Sequence, residues 1–473
     1  MNLIGLEISD AGIMAVQGRD LLAVDGQERE SPGFALPEKK RIVVGHEAQK
    51  QAHLLPQQVT SLFWEQLSPE PVKQVRRGRF LSNAEIAYAH LSRVWENIKH
   101  AGDRVVLAVP GYFTKEQLGL MLGMLMELPL SVAGMVSLAV AGASIRGTYP
   151  DCLLVHLDMH LHRTVVTFLE QGKYLTEKDS VSLPGKGLEF LCSEWANAVA
   201  QEYLRATRFD PFHNAYTEQE LYNRLPGALA GIQDIPGGYD FELSGGGRTH
   251  RVTLQRAVFM QKSEPLFWEI CSALSSIRAR YGSAGQKMVI QLTHRVSRVP
   301  GIAAMLAGLP DTEVVALAPG ASASGAVELE DLLLQKPVSR GVSFLTSKPW
   351  QTSLAPSETC LPGISGKTRE IKPTHILYQN IAKQISKTPL LIGQGSRIQK
   401  EETGMGEDIY TEAETHFSVE LQGQDVVLRN FSPDGTFVNG VKVEGTVTLR
   451  LGQVIQLNKS GQEFRMIACF PES

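Results

Sequence analysis

Apolar residues along this chain follow two rhythms, and the switch between them outlines the architecture. The first 20 residues read as a strand, a tight turn at Asp10-Ala11-Gly12 and a second strand. Residues 104–110 (RVVLAVP) are a continuous apolar run ended by proline, the pattern of a strand buried on both faces. A helix is predicted from Thr114, whose hydroxyl can cap the first turn, with Gln117 three residues on. The stretch Leu118 to Ile145 is almost wholly apolar and long enough to span a bilayer, but Glu127 interrupts it and Pro129 breaks it. Two buried elements joined by a turn are therefore expected, and no membrane span. Residues 152–157 and 164–169 are β-rich runs around a polar turn, whereas Lys186 to Ala206 and Glu264 to Arg280 have helical periodicity. A strand at 287–292 and a short helix at 301–308 complete a mixed order that indicates α/β layers.

After about residue 335 the pattern changes. Residues 336–372 hold Pro337, Pro349, Pro356 and Pro362 among many Ser and Thr, and read as an extended linker. From Thr374 onward, short runs separated by turns (THILYQ, TPLLIG, HFSVEL, DVVLRN, TFVNG, TVTLRL, QVIQL and EFRMIAC) predict an all-β sandwich. A chain of 473 residues is too long for one ordinary core. The expected domains are 1–335, a linker at 336–372, and 373–473.

Composition narrows the partners. With 43% hydrophobic and 20% charged residues the chain reads as a soluble globular protein, and a net charge of −4 gives no reason to expect nucleic acid. The one basic run, Lys73 to Arg79, reads as a solvated loop. Cys152, Cys192, Cys271, Cys360 and Cys469 are scattered without a CxxC pair, which points to a reducing, cytoplasmic compartment rather than disulfides or zinc. The opening MNLIGLEISDAG lacks the charged and apolar regions of a signal peptide. His156, Asp158, His160 and His162 share parity, but on a strand such neighbours lie about 6.8 Å apart, too far for one metal.

Several blocks of residues 1–335, in order, resemble the ATPase domain of the 70-kilodalton heat-shock chaperones. Ile4-Gly5-Leu6-Glu7 resembles its opening strand and first phosphate loop. Val44 to Ala52, followed by Leu62-Phe63, is similar to its VGxxAKxQA block, and Ala108 to Phe113 to its V-P-A-Y-F. Leu157-Asp158 enters the second phosphate loop, Ser297-Arg298-Val299-Pro300 is similar to its T-R-x-P, and Glu330 to Leu334 to its interdomain linker. The resemblance implies a two-lobed actin-like, ribonuclease-H-like fold with ATP and Mg²⁺ as the cofactors. It places Glu7, Asp158, Arg163 and Gly320 at the nucleotide.

The departures are chemically readable. Phosphates are held by successive backbone N–H groups in turns that need glycine. The family's D-x-G-T-T here reads Glu7, Ile8, Ser9, Asp10, Ala11, so Asp10 is expected to add negative charge beside a polyphosphate. Its D-x-G-G-G-T reads Asp158, Met159, His160, Leu161, His162, Arg163, without a glycine. His294 and Arg295 stand at the adenosine-site glycine pair and would fill the nucleoside's space. Glu65 aligns with the catalytic lysine, and Ser137 with a glutamate. The Lys-Arg-x-x-Ser signature is not visible around Leu221–Gly231. Carboxylates facing ATP without a lysine work against phosphoryl transfer. The implied protein is a pseudo-ATPase, with Arg163 left as one cation able to grip an anion.

Residues 373–473 resemble forkhead-associated domains. Asn430 to Gly440 is close to the family's N-x-S-x-N-G-T-x-V-N-G, and Leu451-Gly452-Gln453-Val454-Ile455 to its L-x-x-G-D-x-I. That family reads phosphothreonine through loop Arg, Ser and Asn side chains. Here Gln394 follows Gly393, S-R-x-H reads Ala413-Glu414-Thr415-His416, and the Asn is Asp434. Ser396, Arg397, Ser432 and Asp434 are the remaining candidates. Together the two resemblances favour a scaffold or adaptor that binds protein partners. An ATP-dependent chaperone-like or actin-like switch and a phosphothreonine-reading adaptor are the alternatives.

Overall fold

The structure, a computed structural model, describes residues 3–71, 81–143, 152–234, 238–283, 285–334, 342–350, 373–378, 381–393, 415–423, 425–433, 435–439, 441–450, 453–457 and 462–467. The chain divides into two compact units, Met1–Ala303 with Glu313–Cys360 and Ala304–Thr312 with Leu361–Ser473.

The first unit is built on two six-stranded sheets of matching design. In the first, the hairpin strands Leu3–Glu7, Met14–Gln17 and Asp20–Leu21 run antiparallel, and Arg104–Val109 and Ser131–Ser137 extend the other side of Leu3–Glu7 in parallel. In the second, Leu153–Met159, Arg163–Gln171 and Tyr174–Pro184 form the antiparallel set, and Met288–Leu292 and Thr312–Ala316 continue beyond Leu153–Met159. The interior apolar strands account for this order. Val105 to Val109 and Leu153 to Leu157 are buried throughout, as central strands covered on both faces must be.

Between the sheets lie two short helices of small residues, Leu138–Gly142 and Ala321–Val327. They touch backbone to backbone: a Cβ on Gly325 would come within 1.9 Å of the Ala141 carbonyl, so only glycine fits. Around them Val106, Ala108 and Val136 of the first sheet join Leu154, Leu169 and Val289 of the second in one apolar core.

The expected helix after Thr114 spans Lys115–Met126 and opens with a capping box between Thr114 and Gln117. Pro129 separates it from the strand Ser131–Ser137, so the long apolar stretch is a helix, a strand and a second helix. Among the described residues no helix is long and apolar enough to cross a membrane.

The linker expectation needs correction. Residues 344–349 form two strands, Phe344–Leu345 parallel to Ser131–Ser137 on the first sheet and Ser347–Pro349 antiparallel to Tyr174–Pro184 on the second. The first unit thus runs past residue 335. Pro349 sits at the last position of an edge strand, where the missing N–H removes no ladder bond. Residues 351–372 lie outside the described residues.

The second unit contains a six-stranded and a four-stranded sheet, with every assigned strand pair antiparallel. Each of the expected runs supplies a strand, and two strands were not anticipated, Ile381–Gln384 and Val441–Val443. Alternation drives the packing. Ile376, Ile455 and Phe464 from one sheet meet Phe417, Val419 and Leu428 from the other in one core.

Candidate functional site

The candidate site lies where the first hairpins of the two sheets meet. The second hairpin turn is fixed by its carbonyls. His160 and Leu161 accept from the Leu188 and Glu189 amides at 2.9 Å each, and His162 accepts from the Gly185 amide at 2.7 Å. The Gly187 backbone lies so close that a Cβ would fall 2.4–2.5 Å from the Leu161 carbonyl, the His160 carbonyl and the Arg163 nitrogen. With the carbonyls tied on that side, the amides of Leu161 and His162 face the first hairpin. There they donate to the two oxygens of Asp10, at 2.8 and 3.3 Å. Ser9 Oγ meets His160 Nδ1 at 2.9 Å.

Arg295, just after the strand Met288–Leu292, crosses in the opposite direction. It is 3% exposed and donates to Glu7 at 2.9 Å, to Glu30 at 2.8 Å and to the Gly12 carbonyl at 2.9 Å. Burial alone would raise the Glu30 carboxyl, but the Arg295 charge and His294 reverse that and hold it well below its ordinary range. The same carboxylates raise the Arg295 guanidinium against the effect of its burial.

Asp158 is satisfied mostly within its own sheet. Thr293 Oγ1 and the Met159 amide donate to Oδ1 at 2.8 Å each, and His160 Nε2 lies 3.2 Å from Oδ2. Burial opposes its ionisation, yet the charges of His160 and Arg295 bring its pKa down to about 2. Arg163 lies 4.2 Å from the centre of the Tyr112 ring and is bonded to Glu65 at 2.5 Å. Tyr112 in turn packs edge-on against His160. Ser137 donates to Glu177, a carboxylate that reaches in from the second sheet.

At the rim, the segment after the helix His46–Gln49 touches the helix Ala215–Asp234. The His53 amide donates to Gln219 at 2.8 Å, Nδ1 lies 3.0 Å from Glu218, and the ring stacks on Tyr222 at 3.7 Å. Gln219 donates back to the Gln49 carbonyl at 3.3 Å.

Of the nucleotide-site candidates, Glu7, Asp158 and Arg163 all lie in this interlocked region. Gly320 does not join it: it precedes the helix Ala321–Val327 at φ 72° and abuts Leu21 and Val16. The expected role of Asp10 is corrected, because its carboxylate is buried and spent on two amides rather than left facing outward. Arg163, the expected anion grip, is committed to Glu65. Ser432 lies in a loop held by Asn430, which accepts from the Ser432 amide and from the Thr436 hydroxyl. Arg397, Ser396 and Asp434 lie outside the described residues, as do residues 73–79.

Asp10, Glu65 and His162 bring ligand atoms within 4.8 Å of one another. His162, however, faces Glu189 through Nδ1 at 2.8 Å and the Ser61 carbonyl through Nε2 at 3.0 Å. Burial disfavours its charged form, but Glu189, Asp10 and that carbonyl outweigh it and raise its pKa. A ring that donates from both nitrogens has no lone pair for a metal. His156 is fully buried, its pKa pushed down to about 4 chiefly by that burial.

A further Ser–His–Asp grouping, Ser31, His90 and Asp25, is not visible in the sequence because His90 lies 59 residues beyond Ser31. Trp64 Nε1 donates to His90 Nδ1 at 3.0 Å, so the proton sits on Nε2 and points at Ser31, 2.9 Å away. That is the reverse of a general base, and the group is a buried structural network.

No protein-family model matches the chain, and no curated protein matches it.

Proposed function

We propose that this protein is a nucleotide-independent scaffold that acts through protein partners. In this reading the first unit is an actin-like ATPase domain of heat-shock-chaperone type that has lost catalysis, and the second is a forkhead-associated-like interaction module. The duplicated strand order, with an acid at the end of each first strand, supports the resemblance. The observation that carries the function is Arg295, buried between Glu7, Glu30 and the Gly12 carbonyl. Together with Asp10 it supplies from side chains the charge bridging that a Mg²⁺-bound polyphosphate would provide between two such hairpins. Phosphoryl transfer needs a positive clamp and a positioned water. Here Glu65 takes the Arg163 guanidinium, and Glu7 and Glu30 take that of Arg295, so neither guanidinium is left to clamp a polyphosphate.

The test is a melt with and without millimolar Mg·ATP and Mg·ADP. A ligand at about 100 times its dissociation constant adds about 2.7 kcal/mol, which moves a melt by a few degrees. The expected shift is below about 1 °C on that scale. A rise of several degrees with either nucleotide would overturn the reading and favour an ATP-dependent switch.

A further inference from the structure

We propose that the Asp10 carboxylate is a tethered ligand, the chain's own occupant of an oxyanion receptor formed by the Leu161–His162 turn. The inference deepens the nucleotide-independent reading and rests on it. Two consecutive amides, each donating to a different oxygen of one carboxylate, are the geometry by which backbone grips an anion. The receptor is assembled without help from Asp10. Its carbonyls are held by the amides of Leu188, Glu189 and Gly185, the His160 amide closes the turn onto the Arg163 carbonyl at 2.8 Å, and Gly187 clasps it from behind. The two amides therefore point out of the turn whatever stands opposite. The flank suits the same class of ligand, with the His162 imidazole held by Glu189 and the Ser61 carbonyl and favoured in its charged form.

Asp10 fits the part of occupant. It is 1% exposed, and its backbone carbonyl is fixed by the Gly33 amide at 3.0 Å. It belongs to the opposite sheet, so the contact exists only while the two hairpins face each other. A free phosphate-like anion and Asp10 are mutually exclusive. Removing the carboxylate leaves one buried and one half-buried donor without their acceptor, a state that folded proteins avoid.

The experiment uses the full chain and inorganic phosphate as the probe, at constant ionic strength against chloride. Asp10→Ala is expected to melt lower than the wild type in chloride and to regain several degrees in phosphate. The wild type is expected to gain no more than Ser82→Ala, which loses a helix cap elsewhere and reports the general stabilising effect of phosphate. The proposal is overturned if folded Asp10→Ala gains no more from phosphate than Ser82→Ala does. It is equally overturned if the wild type gains as much as Asp10→Ala, since the receptor would then be vacant. Should Asp10→Ala fail to fold, Asp10→Asn carries the test: its single carbonyl oxygen cannot serve both amides as a carboxylate does, and phosphate dependence is expected again. Its absence in folded Asp10→Asn overturns the proposal. Nucleotide binding by the wild type would sink the scaffold reading, whereas phosphate dependence confined to the Asp10 variants speaks to this inference alone.

Discussion

The two six-stranded sheets share a strand order, yet they neutralise their first-strand acids in opposite ways. Glu7, ending the first strand of the first sheet, depends on Arg295 from the second. Asp158, at the matching place in the second sheet, is satisfied by Thr293, Met159 and His160 of its own sheet. The turns are asymmetric too: one supplies a carboxylate and the other the amides that receive it. Duplication of a frame therefore does not duplicate its electrostatics. The first sheet's acid takes its ion-pair partner from across the sheets, and the second's acid takes its partners from its own side.

The largest way to break this asymmetry is Arg295→Met. It removes the one guanidinium between Glu7 and Glu30, and stripping one partner from a buried ion pair costs about 3–5 kcal/mol. Chemical denaturation should show a lowered midpoint, and a change below about 1 kcal/mol would mean the cross-sheet pair contributes little.

Acid tests the second sheet's own acid next. The folded pKa of Asp158 is about 2 against an ordinary 3.8, so the folded state favours its ionised form. That stability is fully present above the ordinary value and is lost as pH falls through the folded one, between about pH 4 and pH 2. It amounts to on the order of 2 kcal/mol. Stability measured across that window should fall less steeply in Asp158→Asn, and an unchanged slope would count against the assignment.

The smallest effect is expected at the rim. His53→Ala removes one ring stack and one hydrogen bond at a half-buried position, worth about 1 kcal/mol. Amide exchange should quicken around residues 46–55 while the Leu161 and His162 amides keep their protection. Loss of protection at both places would show that the rim and the Leu161–His162 turn open together.

Much of the fold was legible because local signals sufficed. The hairpin around Asp10, the Thr114–Gln117 box and the break at Pro129 all depend on neighbours a few residues apart. The strands Phe344–Leu345 and Ser347–Pro349 were not, because the prolines around them outweigh runs too short to show alternation, and Ile381–Gln384 and Val441–Val443 are shorter than the pattern needs. The site was legible only in part. Glu7, Asp158, Arg163, Glu65, His294 and Arg295 stand out as unusual residues for such positions, but the sequence presents the first four as charges facing a ligand and the last two as filling its space. Arg295 and Glu7 are 288 residues apart, and nothing local signals that they meet. The role of Asp10 was hidden for the same reason, since its partners are amides whose direction depends on the Gly185–Glu189 backbone.

The short stretch 344–349 has a mechanical consequence. One strand belongs to the first sheet and the next to the second, with only Thr346 between them, and its carbonyl is itself held by the Glu177 amide. Tension applied at Trp350 is borne first by the second sheet's edge, and along the backbone it passes to the first sheet through that residue. The peptide at Thr346 is thus a covalent tie between the two sheets, beside the side-chain contacts that already join them.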